Sequence, residues 1–239
     1  MSLAHSPSLV LPGLVLCLDA ANRKSYPGTG TTWTDLSGLG NNGTLVNGVG
    51  YNSGNLGSLS FDGVNDRVDF ANNSTTGLFG KSQATISCWF RGNGGTGTQR
   101  NLFSLGIDNT FKNKFGITLL STNLLNVGCR SISTENIQFK STTSTLTSND
   151  WTFVCGTVNL VTNDIKVYIN GNEVQTTGTI SFSQTTFSDE LPSRNCIGCG
   201  IALEYFFLGN ISNALLYERT LTASEIQQNF NATRSRYGI

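Results

Sequence analysis

The sequence predicts an all-β protein: two antiparallel sheets packed face to face as a sandwich or jelly roll, with one short helix near the C-terminus. Three observations predict it. Strand-like apolar segments recur roughly every ten residues, each bounded by turn formers. Gly, Asn, Ser and Thr together make 107 of the 239 residues, whereas charged residues make only 13%, against a usual value of about 25%. More than about a dozen short strands in one chain close most readily as two packed sheets.

In chain order, Leu14–Ala20 (LVLCLDA) is the first strand, entered after the break at Pro12-Gly13. A long irregular run, residues 22–42, holds Tyr26-Pro27-Gly28 and Trp33-Thr34-Asp35. Thr44–Val46 and Ser58–Phe61 are short strands, and the turn at residues 62–66 leads into Arg67–Phe70. Ala84–Arg91 alternates as ATISCWFR and ends at a Gly-rich tip, residues 93–97. That tip lacks the spacing of a phosphate-binding loop. Strands are then expected at Asn101–Ile107, Lys114–Leu120, Leu124–Arg130, Asn136–Lys140 and Trp151–Val158. Ile165–Ile169 and Glu173–Gln175 flank Asn170-Gly171, which suits the positive φ angles of a two-residue type I′ turn. Glu204–Tyr217 carries the last long β pattern, with a bend at Gly209-Asn210. Thr222 and Glu225 are spaced as a capping box, which predicts a helix start. No internal repeat or Pro-rich linker divides the chain, so residues 1–8 read as an N-terminal arm and residues 9–239 as a single domain.

Composition removes several functions. Fifteen basic residues balance fifteen acidic ones, so the basic footprint of a nucleic-acid binder is absent. With 38% hydrophobic and 10% aromatic residues, disorder is disfavoured. No apolar run approaches the roughly 20 residues of a membrane-spanning helix, and residues 1–8 lack the pattern of a secretory signal. Of the cysteines at 17, 88, 129, 155, 196 and 199, the first four lie inside apolar strand-like runs and read as buried thiols. Cys196 and Cys199 have the spacing of half a zinc site without the other half.

The chemistry is equally bounded. The single histidine, His5, lies in the polar arm, which disfavours a Ser-His-Asp or Cys-His machine. A retaining glycosidase needs two carboxyl groups about 5 Å apart, so two acids two or four residues apart on one strand are the signal. Glu135, Glu173, Glu190, Glu204, Glu218 and Glu225 supply no such pair. The sequence reading is therefore a protein that is not an enzyme.

Five stretches, GLVLCLDAANRKSYPGTGTTWTDLSGLGNNGTLVNG, LSFDGVNDRVDF, NDWTFVCGTVN, IKVYINGNEV and LGNISNALLYERTLTASEIQQNF, follow one another in this chain. Their order resembles the concanavalin A-like lectin and laminin-G-like jelly rolls, over nearly the whole chain. Leu-Asp-Ala, Ser-Tyr-Pro-Gly, Trp-Thr-Asp-Leu-Ser-Gly and the closing Ala-Thr-Arg-Ser-Arg-Tyr-Gly look like the branch found in virion proteins of tailed bacteriophages. The resemblance implies loop anchoring by Trp33 and Trp151. Acidic residues that many members carry after Gly-x-Ile are absent from Gly209-Asn210-Ile211-Ser212-Asn213.

The resemblance also makes calcium an expected cofactor, with Asp62, Asp66, Asp189 and Glu190 as alternative sources of oxygen ligands. Sugar binding needs an exposed aromatic with polar groups beside it, and Tyr51, Phe111, Tyr205 and Phe206 are the candidate platforms. The expected role is a virion component, a capsid decoration or accessory surface protein that contacts host-surface glycans. It is expected to be homo-oligomeric or lattice-bound among other virion proteins, with no nucleic-acid or membrane partner. A carbohydrate-binding tail or fibre adhesin is the alternative, and a glycan hydrolase stands behind both.

Overall fold

The structure is a computed structural model that describes residues 7–92, 98–107, 113–146, 149–190 and 194–239. Along the chain its strands are β1 (Leu14–Asp19), β2 (Thr32–Trp33), β3 (Gly43–Val46), β4 (Gly50–Asn52), β5 (Ser58–Asp62), β6 (Arg67–Phe70), β7 (Gln83–Arg91), β8 (Arg100–Gly106) and β9 (Asn113–Leu119). They continue as β10 (Leu125–Cys129), β11 (Gln138–Thr142), β12 (Thr152–Asn159), β13 (Asp164–Ile169), β14 (Asn172–Glu173), β15 (Thr176–Thr177), β16 (Asn195–Ile197) and β17 (Leu208–Tyr217). A single α-helix among the described residues, α1 (Ala223–Thr233), ends in a 3-10 turn at Arg234–Tyr237. It is too short to cross a membrane.

The strands form two antiparallel sheets. The first has the order β14-β13-β12-β7-β17-β5-β4, with β1 also paired to β17. One edge of β17 is shared: its first half pairs with β5 and its second half with β1. The second sheet has the order β15-β11-β10-β9-β8-β16-β6-β3-β2. The Asn170-Gly171 turn has positive φ at both residues, as its sequence demands.

Between the sheets, alternate residues interdigitate. Ile86, Cys88 and Phe90 of β7 meet Phe115, Ile117 and Leu119 of β9 and Leu125, Val127 and Cys129 of β10 in one buried cluster. The outer face of the first sheet is also buried. There Trp89, Phe153, Leu215 and Tyr217 pack under Ile226 and Phe230 of α1 and under Tyr237. Trp89 Nε1 donates to Thr233 Oγ1 at 2.7 Å, and Asn229 Nδ2 to the Tyr217 hydroxyl at 3.0 Å. The helix begins at the expected capping box of Thr222 and Glu225. All six cysteines are buried free thiols.

One expectation is corrected, and one strand is added. Residues 204–207 are not strand: β17 starts at Leu208. The aromatic run Tyr205-Phe206-Phe207 looks extended in sequence, but Leu203 and Tyr205 take φ of 59° and 53°, which breaks the pleat. Conversely, the irregular-looking Cys196 segment holds β16, a three-residue strand between β6 and β8. Its length is below what alternation reveals.

Candidate functional site

Because α1 packs on the outer face of the first sheet, the sheet face without a helical cover is the outer face of the second. On β9, inward Phe115, Ile117 and Leu119 alternate with Gly116 and Thr118, and on β10 inward Leu125, Val127 and Cys129 alternate with Asn126 and Gly128. Gly116 and Gly128 are direct cross-strand partners, and Gly128 is also opposite Phe139 of β11. A glycine in a strand interior weakens the strand and marks a place where something approaches the backbone closely. The two facing glycines make a low floor that is partly covered: a Cβ on Gly128 would stand 2.8 Å from Ile137 Cδ1, so the Ile137 side chain packs over that glycine.

That floor belongs to a cleft of about 310 Å³. Phe139, 46% exposed, stands on one side and Tyr205, 39% exposed, on another. Asn101, Thr118, Asn126 and Arg130 supply polar groups, with Glu204 at the rim. Several of these are fixed by their neighbours. Thr118 Oγ1 donates to Asn101 Oδ1 at 2.6 Å, Ser141 Oγ to Asn126 Oδ1 at 3.0 Å, and Arg130 Nη1 to the Glu135 carbonyl at 3.0 Å. The Tyr205 carbonyl accepts from the Asn101 N–H at 2.9 Å, and the Glu204 carbonyl from the Gly200 N–H at 2.8 Å. A left-handed backbone at a bulky residue such as Tyr205 costs of order 1 kcal/mol and persists only when its surroundings hold it. Here it turns a bulky aromatic out of a loop and toward the glycine floor.

Lys114 lies on β9 before Gly116 and closes one end of this face. It is fully buried, and its Nζ donates to the carbonyls of Gly77 at 2.6 Å and Ser188 at 3.0 Å. The rings of Phe79 and Phe187 lie beside the ammonium. Burial pulls its pKa down to about 8, against the opposing pull of Glu190. The lysine thus pins two loops to the sheet rather than serving the cleft.

The expected site residues are scattered. Tyr205 lines the cleft. Phe206 packs instead beside Cys196, Cys199 and Ile201, and its carbonyl accepts from Arg100 Nη1. Tyr51 stands on β4 of the other sheet, its ring 5.4 Å from that of Tyr26. Phe111 lies outside the described residues, as do His5 and the tip at residues 93–97.

The acidic candidates form two separate groups. Asp62 Oδ1 accepts from Val64 N–H and Asn65 N–H, and Asp66 Oδ2 from Asp62 N–H. The Val64 N–H holds the Asp62 carboxyl below its ordinary range, whereas burial pushes Asp66 up. Asp66 Oδ1 is buried without a hydrogen-bond partner. Glu190 accepts from the hydroxyls of Ser133 and Ser188. Calcium takes about six to eight oxygens, and no three His, Cys, Asp or Glu side chains come together among the described residues. The residues as placed fit calcium poorly.

Missed by the sequence reading were Gly116, Gly128, Asn126 and Phe139. A signal existed: KFGITL and LNVGC both place Gly at the polar phase of the alternation. That the two glycines face each other depends on register.

A two-sheet jelly roll with a polar, aromatic-rimmed cleft on one open face defines a lectin-like class of protein. The chain belongs to the concanavalin A-like lectin/glucanases superfamily, whose family model matches residues 61–227. Its fold is similar to a Trypanosoma rangeli sialidase (TM-score 0.68, 15% identity, covering 98% of this chain and 36% of the other). It is similar also to the binding domain of botulinum neurotoxin serotype D/C (0.68, 16%, covering 92% and 52%), a domain also solved in complex with rat synaptotagmin II. The chain thus spans about a third of the sialidase and half of the toxin domain. No curated protein matches its sequence.

These neighbours correct the expectation that the protein is not an enzyme, since glycan-cleaving sialidases are among the similar structures.

Proposed function

We propose that the cleft over Gly116 and Gly128 binds a glycan, and that this domain recognises carbohydrate for the protein that carries it. The observation that carries the reading is the low floor of Gly116, Gly128 and Ile137 between Phe139 and Tyr205. A pyranose ring offers a flat apolar C–H face, which suits a low floor of two glycines and the apolar Ile137 side chain with aromatic walls. Its hydroxyls need donors and acceptors in fixed places, and Asn101, Thr118, Asn126 and Arg130 are held by hydrogen bonds at the edges of that floor. Neutral overall charge suits recognition by shape and hydrogen bonds over long-range steering.

The test is binding of the purified protein to a glycan array and to host-envelope polysaccharide, with Tyr205→Ala and Phe139→Ala alongside. Each substitution should weaken binding at least about tenfold, equivalent to roughly 1.4 kcal/mol. Undiminished binding by Tyr205→Ala would sink the reading.

The sialidase similarity supports a second reading, glycan cleavage by the protein that carries the domain. Release of sugar from the bound polysaccharide measures it. The bacteriophage-like phrases at both ends of the chain support placement on a virion surface, as a capsid decoration or a tail adhesin. Cosedimentation with purified particles checks that placement.

A further inference from the structure

The first sheet carries a second cavity, of about 600 Å³, beyond the edge of the helical cover. Arg91 ends β7, and Trp151 precedes β12, the neighbouring strand. Their side chains meet on the outer side of the sheet, with the guanidinium carbon 5.6 Å from the indole centroid. Trp151 Nε1 donates to Asn55 Oδ1 at 3.0 Å, which fixes the ring. Asn170, whose Oδ1 accepts from the Phe153 N–H, and Asn149 and Asp150 continue the polar lining.

The charges in this cavity are unspent. The ion pairs of the described residues engage Arg67, Lys81, Lys166, Arg219 and Arg236. Arg91 and Asp150 belong to none of them, so the two do not neutralise each other across the cavity. A guanidinium over an indole, with no carboxylate paired to it, leaves N–H groups that match a carboxylate in two parallel hydrogen bonds. An unpaired aspartate accepts hydrogen bonds from hydroxyls. Opposite charges held apart in one polar cavity suit a ligand with a carboxylate at one end and hydroxyls at the other. The volume falls within the usual range for a small-ligand site, about 300–1,000 Å³.

We propose that this cavity is a second binding site, separate from the glycine-floored cleft, for the carboxylate-bearing sugar unit of an acidic glycan. Arg91 holds the carboxylate, Trp151 and the asparagines orient the ring, and Asp150 takes hydroxyls. The site does not depend on the cleft of the second sheet being a glycan site.

Trp151, although only 6% exposed, reports on it directly, because it lines the cavity and the fully buried Trp33 and Trp89 do not. Intrinsic fluorescence is followed while sodium glucuronate is added at constant ionic strength, with D-glucose and sodium acetate as controls. The expected result is a saturable change with glucuronate that glucose and acetate do not reproduce. Arg91→Ala should weaken it at least tenfold, Arg91→Lys should weaken it less, and Tyr205→Ala should leave it unchanged. Arg91→Lys keeps the charge and the stem, so it serves if the alanine variant does not fold. Glucose or acetate acting as well as glucuronate, no saturable change, or an unaltered response in both Arg91 variants overturns the proposal. Loss of array binding in Tyr205→Ala with the glucuronate response intact separates the two sites.

Discussion

At the scale of single residues, the buried thiols set how the protein meets alkaline pH. Cys17, Cys88, Cys129, Cys155 and Cys196 all have their pKa pushed up, chiefly by burial, Cys17 to about 12. An unfolded thiol ionises near pH 8.5, while the native thiols keep their protons. The stabilisation is therefore fully present below about pH 8.5 and is lost as pH rises above it, by up to about 1.4 kcal/mol per thiol per pH unit. Lys114 acts in the opposite sense. Its native pKa is about 8, so its charged form costs stability at low pH and that cost fades between about pH 8 and 10. Five thiols outweigh one lysine. The melting temperature should fall steeply between pH 8.5 and 10, and Cys88→Ala with Cys155→Ala should flatten that fall in thermal scans across pH. A flat profile in the parent protein would refute the account.

At the scale of elements, α1 shows how a local signal becomes a tertiary one. Thr222 Oγ1 accepts from the Glu225 N–H at 3.3 Å, and Glu225 Oε2 accepts from the Thr222 N–H at 2.8 Å. Arg219 adds a two-pronged contact to the same carboxylate, at 2.9 and 2.6 Å. Hydrogen bonding to Arg219 is the main reason the Glu225 pKa falls to about 2. The folded value lies below the unfolded one of about 4.3. The contribution is therefore present above that pH and is lost as pH falls toward 2. Thr222→Ala should cost about 1 kcal/mol, and Glu225→Gln should shrink the acid sensitivity between about pH 4.5 and 2, both read by thermal melts in low salt. The cap and the helix were legible from Thr222 and Glu225 alone, because a capping box is a contact within four residues. The loop at residues 200–207 was not. Its aromatic run reads as strand until Tyr205 turns left-handed, held by Asn101 from another strand.

At the scale of the whole molecule, the spacing of the two sheets decides what the core tolerates. Gly156 of β12 points between them, and a Cβ placed there would stand 2.7 Å from Val127 Cγ1 on β10. Gly156→Ala should therefore force the sheets apart locally and cost about 1–3 kcal/mol. Equilibrium urea unfolding measures it, and an unchanged midpoint would show that β10 yields freely. Distant parts of the chain also close on each other: Leu14 pairs with Tyr217, and the Tyr217 hydroxyl donates to the Val10 carbonyl at 3.0 Å. Such non-local pairing forms slowly.

What could be read without coordinates was whatever local chemistry dictates: the period-two alternation, the Asn-Gly turn, the buried thiols, the capping box and hence the all-β class. Tyr205 was legible as a candidate because an aromatic beside polar residues is a local feature. The cleft itself was not, since Gly116, Gly128, Asn126 and Phe139 gain their meaning only from strand register, and Arg91 and Trp151 only from adjacent strands of the other sheet. Strand pairing brings together residues far apart in the chain, and alternation alone says which face a residue takes without saying what stands opposite. The outer face of the second sheet became the candidate site because α1 folds back over the first. That choice is made by packing between distant parts of the chain, which no local pattern encodes.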